Sequence, residues 1–210
     1  KIIDTGEIVS EHTYQILESL RRTIEEQNIS HRQSFTSTIG VGIYIVILIS
    51  LFGLYLYTYR RKLLDSLRHV LFFTILMAML ICAAFLVLRH FSASYIFLIP
   101  FAWVPIITRV FYDSRTAIFI HIITVFIVSI AAPAPYVFIL LQVITGIVAV
   151  ISLRDMTQRA QLAQTALFTF LMYSVVYTAS TLLVTGSIAN VEYNYYIYFA
   201  VNAVLVICAY

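Results

Sequence analysis

From Thr38 onward the chain is a succession of apolar stretches, most of them close to the length a helix needs to cross a lipid bilayer. The hydrocarbon core is roughly 30 Å thick, which takes about 20 helical residues. The stretches fall at 38–58, 69–88, 94–111, 116–132, 136–153, 162–184 and from 195 on. In lipid, every backbone N–H and C=O must find a partner within the protein, so only helices and closed barrels span it. No stretch shows the polar–apolar alternation of a barrel strand. The expected fold is all-α: a polytopic membrane helix bundle of six complete transmembrane helices and the start of a seventh. Composition agrees, since 11% of residues are charged where a soluble domain carries about 25%.

The placement of charge orients the bundle. The loop after the first stretch holds Arg60, Arg61, Lys62 and Arg68, the loop after the third Arg109 and Arg115, and the loop after the fifth Arg154 and Arg159. Of arginines and lysines, the alternate loops hold only Arg89. The positive-inside rule puts the first set in the cytoplasm, so the N-terminus is expected outside. Tyrosines fit that orientation. Tyr55, Tyr57 and Tyr59 lead into the basic loop, and Tyr193, Tyr195, Tyr196 and Tyr198 gather at the other side. Such rings suit the headgroup layer. The second group could instead form an aromatic ligand cage, although a belt is the commoner arrangement.

Residues 1–37 differ in kind, holding six of the ten acidic residues. Ser10 is a suitable N-cap, and Tyr14, Leu17, Leu20 and Ile24 fall at helical spacing. This segment is expected to be the C-terminal end of an extracellular soluble domain with a polar connector at Asn28–Ser37, and residues 38–210 the bundle. The chain starts without Met and stops at Tyr210 within an apolar run, so it reads as an excerpt of a longer protein.

No catalytic or metal motif is present. His12, His31, His69, His90 and His121 stand apart, with no second ligand at helical spacing, and there is no phosphate loop, zinc-protease motif or nucleophile elbow. Cys82 and Cys208 lie in apolar runs and imply no disulfide. Catalytic, cofactor-binding and metal residues are accordingly expected to be absent from this segment.

Three features remain as candidate sites. Pro100 and Pro105 flank Trp103 in the third stretch. Each removes a backbone donor. The outcome is either a broken helix lining a cavity, as in transporters, or a kink that neighbouring helices absorb. The kink is the commoner. His121 and Gln142 are the deepest polar residues of the fourth and fifth stretches, and could join Pro100, Trp103 and Pro105 around a membrane cavity or simply hydrogen-bond a neighbouring helix. On the basic side, Arg109, Asp113, Arg115, Arg154 and Arg159 form a candidate docking face for a cytoplasmic domain. There, Asp113 or Ser114 can cap the fourth helix, and Arg109 and Asp113 are spaced to pair. Gly40, Gly42, Gly53, Ala78, Gly146 and Ala149 are expected to allow close helix contacts.

Two stretches carry a resemblance to a known family. The first is "GEIVSEHTYQILESL" (Gly6 to Leu20). It resembles the last extracellular segment of seven-transmembrane receptors with an intracellular HD hydrolase. The second is "IPFAWVPIITRVFYDSRTAIF" followed by "TGIVAVISLRDMTQRAQL". It resembles the third-to-fourth and fifth-to-sixth helix regions of that family, with Pro100, Pro105, Asp113, Arg115, Gly146 and Arg159 at matching places. Characterised members of the PgpH type are cyclic-di-AMP phosphodiesterases of the bacterial cytoplasmic membrane. The resemblance implies a cytoplasmic HD domain after the seventh helix, holding a divalent metal pair (manganese or iron) through His and Asp side chains that are not in this sequence. The implied partners are the bilayer, the protein's own extracellular and cytoplasmic domains, an extracellular ligand of unknown identity and, as an open possibility, a second copy of the chain. Nucleic acid is not among them. A small-molecule transporter or its substrate-binding subunit, and a stand-alone ligand receptor, stay open as alternatives.

Overall fold

The computed structural model describes residues 11–153, 160–187, 189 and 191–208. Arg154, Arg159 and the segment Lys1–Ser10 lie outside the described residues. The chain divides into two compact units, residues 1–46 and 47–210. The described part of the first is helical throughout. It belongs to α1, Glu11–Tyr59, so the polar stretch Asn28–Ser37 continues a helix. Its apolar side chains Ile39, Ile43 and Val46 are exposed, as a lipid-facing surface requires.

The second unit is a helix bundle. After the end of α1 come α2 (Arg61–Leu64), α3 (Leu67–His90), a 3-10 turn η1 (Ala93–Leu98), α4 (Trp103–Phe111), α5 (Ser114–Ser129), α6 (Pro135–Ser152), α7 (Ala160–Thr185) and α8 (Asn194–Ile207). No described residue is in a strand. Five segments are long and apolar enough to cross a membrane: Phe35–Tyr59, Leu67–His90, Ala93–Phe111, Pro135–Ser152 and Ala163–Thr185. Two more, α5 and α8, are apolar but shorter. At about 1.5 Å per residue, the 16 residues of α5 fall short of the hydrocarbon thickness. Its surroundings make that length tolerable. Ala117, Ile120, Ile123, Thr124, Val125, Ile127 and Val128 are all buried, which places protein around most of α5, with Phe119, Ile122 and Phe126 partly buried on the remaining face. A helix apolar all round belongs inside a bundle, and α5 packs on α3, α4 and α6.

Local signals set the ends. Asp113 caps α5, accepting from Thr116 N at 3.3 Å and Thr116 Oγ1 at 2.8 Å. Pro135 opens α6, where a missing N–H removes no helical bond. Gly186, at φ +67°, closes α7 in the left-handed conformation, and its N–H returns to the Leu182 carbonyl.

A close contact in the interior joins α5 to α6. His121 Nε2 lies 2.9 Å from the Gln142 carbonyl, so that nitrogen carries the proton and donates. The imidazole lies flush against Gly146, where a side chain would overlap the ring. Gly146 is therefore the close-contact glycine the sequence implied. Gly53 has no atom near the place of a Cβ and Ala78 is exposed, so neither packs closely on another helix among the described residues of the second unit. Ala149 is fully buried.

Gly146→Ala gives a test with a definite sign. Helix propensity alone would favour Ala by about 1 kcal/mol, but overlap with His121 should destabilise by about 1–3 kcal/mol. The thermal midpoint in detergent is expected to fall. In a His121→Ala background the same substitution should become neutral or stabilising. An equal loss in both backgrounds would refute the contact.

Candidate functional site

Pro100 does more than kink the third stretch. The helix is broken there, contrary to the commoner expectation of an absorbed kink. The residue before a proline is pushed toward extended geometry, and Ile99 sits at φ −72°, ψ 123°. The chain restarts as α4 through short-range bonds from Trp103 N to Pro100 O and from Val104 N to Phe101 O. Pro105 falls at the third position of α4, where an N–H has no helical partner to lose. One proline breaks the segment and the other suits its restart.

A break inside a membrane bundle leaves carbonyls to satisfy. Asn202 of α8 does so, with Nδ2 donating to Phe97 O at 3.0 Å and to Ile99 O at 2.8 Å. Two carbonyls around one atom require it to be the amide nitrogen. In the other direction, Trp103 Nε1 donates to the Leu205 carbonyl at 2.9 Å. Break and α8 thus exchange hydrogen bonds both ways. Nearby, Tyr173 of α7 stacks on Phe199 of α8 (5.1 Å between centroids, 11° between planes), and its hydroxyl donates to Gln142 Oε1 at 2.6 Å.

Above the break, on the side rich in tyrosine, η1, the α5–α6 turn, the end of α7 and the start of α8 enclose a pocket of about 370 Å³. Its walls include Phe97, Phe138, Tyr177, Tyr195, Ser180 and Glu192. Tyr177 and Tyr195 stack at 4.8 Å, and the Tyr195 hydroxyl meets Ser94 Oγ at 3.1 Å. Tyr193 is exposed. The expected belt is therefore divided: Tyr193 faces outward, and Tyr195 turns into the pocket.

Of the five residues expected around a membrane cavity, two share a described groove. Pro100 and Trp103 line an apolar groove of about 610 Å³ between α3, the break and Leu205. Pro105 is buried, and His121 and Gln142 are engaged with α6 and α7 as described.

At the basic side, Asp113 pairs with Arg60 at 2.7 Å and not with Arg109. The helix ends at Phe111 and Tyr112 is extended, so the four-residue spacing is not helical. Arg109 is half-buried with its Nε unpartnered, and Arg115 is exposed. The Thr116 hydroxyl gives its proton to Asp113, so Tyr55 donates in the 3.0 Å bond between Tyr55 Oη and Thr116 Oγ1. The Tyr55 ring stacks on Phe119 at 4.3 Å. Partial burial disfavours the Asp113 carboxylate, but the bonds from Thr116 and Arg60 outweigh it and hold its pKa below the usual carboxylate range. Among the described residues, no three His, Cys, Asp or Glu side chains are grouped to hold a metal ion.

Residues 35–210 match the family described as the 7TM receptor with intracellular HD hydrolase. The chain belongs to that family. No curated protein and no solved structure matches. Within this 7TM receptor domain, the residue that sequence reasoning missed is Asn202. A lone amide in the apolar run of α8 was the available signal, since polar side chains at that depth need a partner.

Two tests follow. Asn202→Ala removes the Asn202 bond from the Phe97 carbonyl and leaves Ile99 O only its bond from Phe101 N; it should cost about 1–3 kcal/mol, read as a fall in thermal midpoint well beyond that of Val201→Ala on the exposed face of α8. Equal falls would count against the clamp. For Asp113, a folded pKa below the unfolded value means its contribution is held above about pH 4 and lost as pH drops through the folded value. Asp113→Asn should lower the midpoint at neutral pH and flatten its decline on acidification. Identical acid profiles in both proteins would exclude the ion pair as a contributor.

Proposed function

We propose that this chain is the membrane anchor and sensing-and-relay domain of a bacterial HD-type cyclic-di-AMP phosphodiesterase of the PgpH type. It sits in the cytoplasmic membrane with its N-terminal region outside, and its catalysis lies in a cytoplasmic HD domain beyond this segment. The basic side, with Arg60, Arg61, Lys62, Arg109 and Arg115, is then the cytoplasmic face. The pocket opens to the outside, where an extracellular ligand can reach it. The divalent metal pair, manganese or iron, would be held by that HD domain.

The observation that carries this reading is the join between pocket and α8. Phe97 lines the pocket, and its carbonyl is held by Asn202. In the proposed arrangement α8 is the helix that leads to the hydrolase. A ligand that favours one placement of η1 would bias α8 with it. A transporter reading draws on the same broken helix. Its freed carbonyls at Phe97 and Ile99, however, are taken by Asn202 instead of facing a substrate.

The test is cyclic-di-AMP hydrolysis by the full-length protein in nanodiscs with manganese, beside the 210-residue segment. Hydrolysis is expected from the full-length protein alone. A folded, metal-loaded full-length protein that leaves cyclic-di-AMP intact would overturn the reading.

A further inference from the structure

The pocket on the tyrosine side carries its own chemical signature. Glu192 is the one charged side chain among its lining residues, and no cation joins it. The pocket's own aromatic walls hold Glu192 in place: its backbone N–H donates to the Tyr177 hydroxyl at 3.3 Å, and its carbonyl accepts from Tyr195 N at 3.3 Å. Thr181 and Thr185 also line the pocket, and both spend their hydroxyl protons on helix carbonyls, Tyr177 O at 3.0 Å and Thr181 O at 2.8 Å. What these threonines can offer a ligand is acceptor lone pairs. A carboxylate, acceptor oxygens and tyrosine rings together favour positive charge, since the ring face is the negative part of its quadrupole. The volume, about 370 Å³, is that of a small-molecule site.

We infer that this pocket binds a small organic cation of the quaternary or primary amine class, with Glu192 as counter-ion and Tyr177 and Tyr195 as aromatic walls. The signalling consequence of such binding rests on the sensing role proposed above, whereas the binding itself is measured without reference to it.

Choline and its uncharged carbon isostere 3,3-dimethylbutan-1-ol are the probes. Each is titrated calorimetrically into the full-length protein in nanodiscs, with empty nanodiscs as the blank. Choline should bind about tenfold more tightly or better, and Glu192→Gln should abolish that preference. The Glu192 side chain is exposed and makes no described hydrogen bond, so the variant should keep the wild-type thermal midpoint. Equal binding of the two probes, a choline preference that survives Glu192→Gln, or no saturable binding of choline would each overturn the inference. If the full-length protein hydrolyses cyclic-di-AMP but shows no preference, the ligand class falls and the phosphodiesterase reading stands. The opposite pattern separates them the other way.

Discussion

Lipid supplies no hydrogen bonds, and this bundle contains a helix break. A broken segment within hydrocarbon is tolerable only where protein takes up the freed backbone groups. The amide of Asn202 provides that for the carbonyls of Phe97 and Ile99, and Trp103 returns a bond to Leu205. The placement of η1 and α4 depends on this exchange, and so does the pocket, because η1 is one of its walls. The short α5 obeys the same constraint: it lies within the bundle, where protein replaces the lipid it is too short to span.

The two sides of the bundle are held by different physics. On the tyrosine side, aromatic rings pack against one another. Tyr173 and Phe199 stack, Tyr177 and Tyr195 stack, and Phe97 meets Phe199 edge-on. On the basic side, polar bonds converge on Asp113, which serves Thr116 and Arg60 together. An exposed ion pair alone contributes little. Here it shares its carboxylate with a helix cap, so the end of α1 and the start of α5 are held by one side chain. The same residue reads as a cap from sequence, and the tie to Arg60 is what the fold adds.

The helices were legible because long apolar runs with basic loops admit few alternatives. Asp113 as a cap and Gly146 as a contact residue were legible too, since both follow from local chemistry. The partners were not. Arg109 sits at the favourable spacing from Asp113, yet the extended Tyr112 breaks the helix between them and Arg60 arrives from another element. The break at Pro100 was one of two open outcomes, and the deciding residue, Asn202, lies some hundred positions away in sequence. Gly53 shows the converse: a small residue implies close packing only where another helix is present to use it.

A relay needs more than adjacency. A ligand shifts an equilibrium only by the difference in its affinity for the two states, and that difference is lost if the elements between slip past one another. The join between the break and α8 resists slip because its bonds run both ways at two heights, Asn202 to Phe97 and Ile99, and Trp103 to Leu205. Sliding α8 along its axis breaks both sets at once, each at the cost of an unsatisfied buried polar group. In the proposed relay, motion of the pocket wall would be carried into α8 as a body movement. The stacked Tyr173 and Phe199 extend the same attachment to α7, and through the Tyr173 hydroxyl to Gln142 of α6. The helix bonded to the pocket wall is therefore α8, and in the proposed arrangement that is the helix leading to the hydrolase.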